Sequence, residues 1–390
     1  MKQQLIDGFS KIYGDTDGLK LFFAPGRVNL IGEHIDYNGG LVFPCALDMG
    51  AYVAIRRRED GVIRLASGSF EPMVTLDVSN LAYDDAHDWA NYPKGVAFCF
   101  AEMGKKLTGF DMFLLSDLPG SAGLSSSASV CVAIATALNA VFEFGVAPVE
   151  IAKLCQKAEF YNGVNCGIMD QFASAMGKKD HAILLDCNTL EYSYVPFKLG
   201  DYRIVIANTN KRRGLADSKY NERRAECEKA LADLKKACDI QALCDLTPDE
   251  LEKHAGVIRG DIPRARAFHA VDENARTKAA ARAFEEGDLK FAAALMHESH
   301  DSLTNLYEVS CAELDALVDA AGEYNLSCKP FTAVYGSRMT GAGFGGCTVN
   351  IVHKDHTKKF AEFVGEAYES ETGLTADFYV AQPEDGAREI

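Results

Sequence analysis

Residues Leu118-Pro119-Gly120-Ser121-Ala122-Gly123-Leu124-Ser125-Ser126-Ser127-Ala128-Ser129 constrain this chain more than any other stretch. Before them, residues 110–115 read as a strand. After them, residues 130–142 form a small and apolar run long enough for a buried helix. A strand, a Gly/Ser turn and a buried helix in that order place a helix N-terminus at the end of the turn. Such an end carries unpaired N–H groups and a partial positive charge. Glycines let an anion come close to it, and serine hydroxyls can hold the anion or its metal. Taken alone, the stretch fits an ordinary serine-capped helix equally well.

A second segment is dense in polar groups: Gly26-Arg27-Val28-Asn29-Leu30-Ile31-Gly32-Glu33-His34-Ile35-Asp36-Tyr37-Asn38-Gly39-Gly40. It follows a strand at 19–23 and reads as a loop. Arg, Glu, His and Asp packed between glycines suit a ligand that presents several hydroxyls. The competing reading pairs Arg27 with Glu33 and leaves Asn38-Gly39 as a plain turn. Further on, Gly163-Val164-Asn165-Cys166-Gly167-Ile168-Met169-Asp170-Gln171-Phe172 delivers the carboxylate of Asp170 at the head of a helix, with Cys166 read as packing. Gly341, Gly343 and Gly346 formally satisfy G-x-G-x-x-G, but a strand follows them where a dinucleotide fingerprint needs a helix. No G-x-x-x-x-G-K-[ST] occurs, which excludes a P-loop, and no H-R-D or D-F-G set points to a protein kinase.

The other elements are read from periodicity and punctuation. Helices are expected at 1–14, 91–103, 149–161, through Tyr220 to 237, and at 265–286, 289–306 and 356–370. Thr247-Pro248-Asp249-Glu250 is a capping box with Pro at the first helical position. Alternating runs at 51–56, 62–66 and 73–78 predict an antiparallel sheet. Strands at 182–186, 192–197 and 202–207 close the first half, and strands at 348–352 and 376–380 belong to the second. At 390 residues two domains sharing a cleft are expected, divided as 1–205 and 206–390. A net charge of −16 argues against sequence-independent nucleic-acid binding, which needs a basic face. Twelve cysteines without C-x-x-C pairs or zinc-type His spacing read as reduced thiols. The first residues lack a signal-type apolar segment, and 130–142 is too short to cross a bilayer. A cytoplasmic monomer with no nucleic-acid or membrane partner is the expectation.

Together these stretches resemble the galactokinase family, within the superfamily of small-molecule kinases that includes mevalonate, phosphomevalonate and homoserine kinases. Residues 26–40 look like the galactokinase signature itself, and 123–129 are similar to the superfamily's phosphate loop. Residues 166–171 resemble the catalytic-carboxylate segment, and 338–347 the third glycine motif. Tyr307-Glu308-Val309-Ser310-Cys311 and Ser218-Lys219-Tyr220-Asn221 also resemble galactokinases. The resemblance implies an α+β fold, with a ribosomal-S5-domain-2-like N-terminal domain and a ferredoxin-like C-terminal domain around the cleft. It implies transfer of the γ-phosphoryl group of ATP to the C1 hydroxyl of α-D-galactose, with Mg²⁺. Asp170 and Arg27 would be catalytic. Glu33, His34, Ile35, Asp36, Asp170 and Tyr220 would bind the sugar. Ser67, Ser121, Ala122, Gly123, Leu124, Ser125, Ser126 and Ser127 would bind ATP, and Ser127 and Glu159 the metal. Three positions depart from the family pattern: Ser121 stands where Gly is usual, Cys131 where Glu is usual, and Glu159 precedes Asp170 by eleven residues, one fewer than expected. The rivals are another sugar 1-kinase such as one for N-acetylgalactosamine, a non-catalytic galactose sensor, and a mevalonate-type kinase.

Overall fold

In the computed structural model the described residues are 1–120, 123–164, 166–211 and 216–390, less the side chains of 216–218. The chain opens with α1 (Lys2–Tyr13), whose Leu5, Phe9 and Tyr13 pack on Ala54, Ala66 and Phe113 of the first sheet. Gly8 makes that approach possible, because a Cβ there would lie 2.2 Å from the Phe113 ring. The next strands are β1 (Lys20–Asn29), β2 (Leu41–Val42), β3 (Pro44–Arg57), β4 (Val62–Ser67) and β5 (Val74–Asp77). A helix, α2 (Asn91–Glu102), leads to β6 (Phe110–Ser116), then come α3 (Ser126–Val141), α4 (Pro148–Tyr161) and α5 (Met169–Met176). The hairpin of β7 (His181–Asp186) and β8 (Tyr192–Pro196) precedes β9 (Tyr202–Asn208).

Mostly helix follows: α6 (Ala216–Leu234), α7 (Pro248–His254), α8 (Asp261–Glu286), α9 (Leu289–Asn305) and α10 (Ala312–Ser327). The chain ends in β10 (Val334–Thr340), β11 (Cys347–His353), α11 (Thr357–Thr372), β12 (Asp377–Ala381) and β13 (Arg388–Glu389). The Thr247/Glu250 capping box forms at the head of α7 as read from sequence.

The first sheet has the order β13-β1-β3-β6-β4-β5 and is antiparallel except where β4 runs parallel to β6. The second, β10-β11-β9-β12, is antiparallel throughout. Counting its strands in chain order, the edge-to-edge order is fourth, first, third, second. With α10 before the second strand and α11 before the fourth, this is the ferredoxin-like β-α-β-β-α-β arrangement. Val205, at the expected domain boundary, lies in the middle of β9, whose partners β11 and β12 both come later in the chain. The chain then returns: β13 pairs with β1, closing the first sheet with the last residues.

Two readings change. Residues 24–29 are not loop: β1 continues through Pro25 and Gly26 with an irregularity between Pro25 and Arg27. Gly26 permits this, since a Cβ there would sit 2.7 Å from Leu118 and 2.8 Å from the Leu124 carbonyl. A strand, β10, also precedes the Gly341–Gly346 turn, so that motif joins two antiparallel strands.

The principal core surrounds α3, which buries Val130, Cys131, Val132, Ile134 and Leu138 among others. At about 1.5–3 kcal/mol for each fully buried Val, Ile or Leu, that burial outweighs the modest helix preference of β-branched residues. Cys131 is wholly buried here, and burial pushes its thiol well above the ordinary range.

Candidate active site

Three backbone stretches converge on Asp170. The first is β1, which carries Arg27 inward from the edge of the core; Arg27 is 4% exposed. Its Nε donates to Asp170 Oδ1 at 2.7 Å, its Nη2 lies 2.7 Å from the same oxygen in the ion pair, and its Nη1 donates to the Gly123 carbonyl at 2.7 Å. One guanidinium therefore ties the carboxylate to the Gly/Ser loop. The second stretch is the head of α3. Ser125 adopts the left-handed conformation (φ 62°) and caps no helical N–H. It donates its hydroxyl to Asp170 Oδ2 at 2.5 Å instead. A non-glycine residue held at positive φ stores strain, and such residues cluster at functional sites. The N–H groups of the first turn of α3 are left without a capping side chain. The third stretch is the first turn of α5, which presents Asp170 itself with its side chain 27% exposed.

Beyond Asp170 lies the acidic bend, residues 32–38, ending in a short 3-10 helix at Asp36–Asn38. Asp36 faces Gly167, where a Cβ would fall 1.7 Å from Asp36 Oδ2. Glycine at 167 is thus the space into which the Asp36 carboxylate fits. Burial raises the Asp36 pKa to about 7, helped by the charges of Asp170 and Glu33 and opposed by the Tyr37 N–H and by Arg27. Tyr220 on α6 closes the same space, its ring 5.6 Å from that of His34 and 5.4 Å from that of Tyr37.

Glu33 and His34 turn out to be bonded within the protein. Glu33 is 2% exposed and accepts from Arg338 Nη1 at 2.9 Å, and burial raises its pKa against the opposing charges of Arg338 and Arg27. Arg27 and Glu33 therefore do not pair with one another; each has another partner. His34 has both ring nitrogens engaged, Nδ1 with the Tyr37 hydroxyl at 2.7 Å and Nε2 with the Ala342 carbonyl at 3.2 Å. Because a carbonyl only accepts, Nε2 carries the proton and Nδ1 accepts from Tyr37. Tyr37 is linked in turn to the Tyr307 hydroxyl at 2.8 Å, and Tyr307 to the Cys227 thiol at 3.1 Å. Burial foremost lowers the His34 pKa to about 3, so the ring is neutral. The Ile35 side chain lies in the core and offers the site only its backbone.

Ser127 and Glu159 are brought together at the other end. Glu159 on α4 is 1% exposed; burial raises its pKa to about 7, while hydrogen bonds from Ser127 and Gln171 pull it down. Its Oε2 has no hydrogen-bond partner. An unpartnered buried carboxylate oxygen beside a hydroxyl fits a hard, oxygen-seeking cation. Mg²⁺ in particular is usually held by one or two carboxylates together with substrate phosphates. Among the described residues no group of three or more His, Cys, Asp or Glu has metal-ligand geometry.

Of the residues expected to bind ATP, Leu124 is a core residue whose carbonyl accepts from Arg27 N at 3.2 Å, and Ser126 is half-buried. Ser67 ends β4, alongside Leu114 of the parallel strand β6. Its hydroxyl donates to the Leu114 carbonyl and accepts from the N–H groups of Ser69 and Phe70, capping a turn. Ser121 and Ala122 lie outside the described residues. Gly341 brings the third glycine motif against the Gly/Ser loop, a Cβ there lying 3.1 Å from the Gly123 carbonyl. Ser125 and Arg338 are the partners that the sequence reading missed in these roles. Arg338 opens the third glycine motif, but nothing in the local sequence pairs it with Glu33, 305 positions away.

Residues 7–57 match the galactokinase galactose-binding signature, residues 91–178 the GHMP kinases N-terminal domain, and residues 280–370 the GHMP kinases C-terminal domain. The chain is 49% identical to a galactokinase of Bacillus subtilis (strain 168), over 100% of this chain and 99% of the relative. The chain belongs to the galactokinase family. A galactokinase of Fusobacterium nucleatum subsp. nucleatum is 50% identical, with 100% of each sequence covered. The crystal structure of Lactococcus lactis galactokinase complexed with galactose superposes with a TM-score of 0.95 at 41% identity, covering 100% of both chains. A mevalonate kinase superposes with a TM-score of 0.64 at 18% identity, covering 93% of this chain and 98% of that one, which shows the shared fold alone. The architecture is therefore the two-domain GHMP kinase fold, and the chain is an ATP-dependent sugar kinase of the galactokinase family. Among the described residues no helix is long and apolar enough to cross a membrane, and all twelve cysteines are free.

Proposed function

We propose that this chain transfers the γ-phosphoryl group of ATP to the C1 hydroxyl of α-D-galactose, giving galactose 1-phosphate and ADP. One observation carries the reading. Asp170 is held by Arg27 and Ser125 between an acidic bend suited to hydroxyls and an uncapped helix N-terminus suited to phosphates. Asp36, Tyr220 and the backbone and carboxylate of the Glu33–Asp36 bend would hold the sugar, with Asp170 nearest C1. Asp170 orients the C1 hydroxyl and accepts its proton as the oxygen attacks the γ-phosphorus, the bond to the β,γ-bridging oxygen breaking as ADP leaves. A positioned carboxylate in that role contributes about 10²–10⁴-fold. The Arg27 guanidinium beside it offsets the charge that builds on the phosphoryl group.

Gly123, Leu124, Ser125, Ser126 and Ser127, with Ser121 and Ala122, would wrap the triphosphate, the backbone N–H groups of α3 supplying donors. Ser67 would act through the turn it caps at the end of β4. Ser127 and Glu159 would hold Mg²⁺, which when bound neutralises phosphate charge. Phosphoryl transfer rewards positioning and charge neutralisation more than covalent help from the protein. In functional terms residues 1–205 carry the bend, the loop and Asp170, and residues 206–390 supply Tyr220 and the third glycine motif. The test is ADP release on galactose, N-acetylgalactosamine, glucose and mevalonate. Galactose should be the strongly preferred acceptor, and preference for any other would overturn the assignment. Absence of turnover on all four, with galactose still bound, would favour a sensor.

A further inference from the structure

The sugar-facing bend is held from behind by a residue that no motif singles out. Glu273 lies on α8, wholly buried. Its Oε1 accepts from the Gly32 N–H at 2.9 Å, the Glu33 N–H at 3.3 Å and the Ser299 hydroxyl at 2.6 Å; its Oε2 accepts from Arg276 Nε at 2.9 Å. Two consecutive backbone N–H groups on one carboxylate oxygen form a small anion nest, here filled by the protein's own side chain. Gly32 makes the nest possible. It sits at φ 94°, and a Cβ there would lie 2.6 Å from the Leu41 carbonyl and 3.0 Å from Thr277 Oγ1. One turn earlier on the same helix His269 bonds the Glu33 carbonyl at 3.1 Å, so α8 grips the Glu33 peptide from both sides. Burial works against a charged Glu273, yet Arg276 foremost, with Arg338 and the Ser299 hydroxyl, holds its pKa down at about 2, so the carboxylate is ionised.

We infer that Glu273 is a positioning residue for sugar recognition: it fixes the backbone from which Glu33 and Asp36 project, so that these reach the hydroxyls of the sugar in one geometry. Among the described residues none of those assigned to ATP contacts Glu273, so its loss should be felt by the sugar and not by the nucleotide. This rests on the proposed assignment of galactose to the acidic bend.

The test is steady-state kinetics of Glu273→Ala and Glu273→Gln beside the wild-type chain, varying galactose and ATP separately. Losing two bonds to a charged acceptor predicts a galactose KM raised by about tenfold or more in Glu273→Ala. The ATP KM should stay within about twofold and kcat at saturating galactose within about threefold. Glu273→Gln keeps an acceptor oxygen and should fall between wild type and alanine. Hydrogen exchange of the peptide spanning 30–36 should quicken in Glu273→Ala, with distant segments unchanged. An unmoved galactose KM, equal rises in both KM values, or a fall in kcat alone would overturn the inference and leave Glu273 a packing residue. Should Glu273→Ala not fold, Glu273→Gln and Ser299→Ala decide by the same KM comparison. A wild-type chain inactive on galactose would instead sink the proposed function, so the two failures are distinguishable.

Discussion

The acidic bend and the Gly/Ser loop meet at Asp170 but are built on opposite plans. In the bend most backbone and side-chain polar groups have a partner within the protein, although the buried Nε and Nη2 of Arg338 behind it have none. Gly32 and Glu33 give their N–H groups to Glu273, Glu33 pairs with Arg338, His34 is bonded at both nitrogens, and Asn38 bonds the His34 carbonyl at 2.9 Å. At the loop, Ser125 leaves α3 uncapped and Glu159 Oε2 has no partner. The contrast follows from the ligands proposed for each. A neutral sugar offers only hydroxyls, so discrimination needs groups fixed in advance, and a site built to hydrogen-bond a hydroxyl strongly rejects an analogue lacking it. A polyphosphate and its cation bring enough charge to organise donors that are left free.

The largest expected effect falls where the two plans meet. Asp170→Asn should cut kcat by about 10²–10⁴-fold and also lower the melting temperature, because it leaves the buried Arg27 guanidinium without its carboxylate; substantial remaining turnover in the folded variant would remove Asp170 from the chemistry. Next comes the bend. Asp36→Asn should raise the galactose KM by about 10- to 100-fold and leave the ATP KM alone, and equal changes would erase the contrast between the two regions. The same variant has a second signature. An unfolded aspartate titrates near 4, whereas Asp36 in the fold is raised to about 7. Ionising it therefore costs the native state stability that is lost progressively as pH rises from about 4 to 7. Asp36→Asn should melt higher than wild type at pH 8, and the gain should shrink toward pH 4.

Gly167→Ala sharpens the point geometrically, since its Cβ would displace the Asp36 carboxylate. At an overpacking cost of about 1–3 kcal/mol it should raise the galactose KM by about 5- to 150-fold, and an unchanged KM would contradict the close fit. On the phosphate side, Glu159→Gln should raise the Mg²⁺ concentration for half-maximal rate by about tenfold while galactose binding is unmoved. An unchanged magnesium titration would remove Glu159 from the metal.

Much of this arrangement is legible in the amino-acid sequence because local patterns carry it. The apolar run after the serines gives α3, Thr247 and Glu250 give the head of α7, and the dense polar stretch gives the bend. Residues 24–29 read as loop because Pro and Gly usually interrupt strands; in the fold they meet Leu118 and the Leu124 carbonyl, and the strand continues. The partners that hold the site were not legible. Glu273 lies 241 positions from Gly32, and Ser125 lies 45 from Asp170 in a run of three serines that gives no sign which of them turns away from the helix. Such pairings are set by tertiary packing, to which spacing along the chain is blind.

In the proposed reaction Asp170 aims a sugar's anomeric oxygen at a phosphate tail seated on α3. Phosphorus-31 and carbon-13 NMR of the product formed from galactose and ATP tests it most directly. Phosphorus coupled to C1 of the α anomer is the predicted result; coupling to any other carbon, or nucleotide hydrolysis with no sugar phosphate, would contradict it.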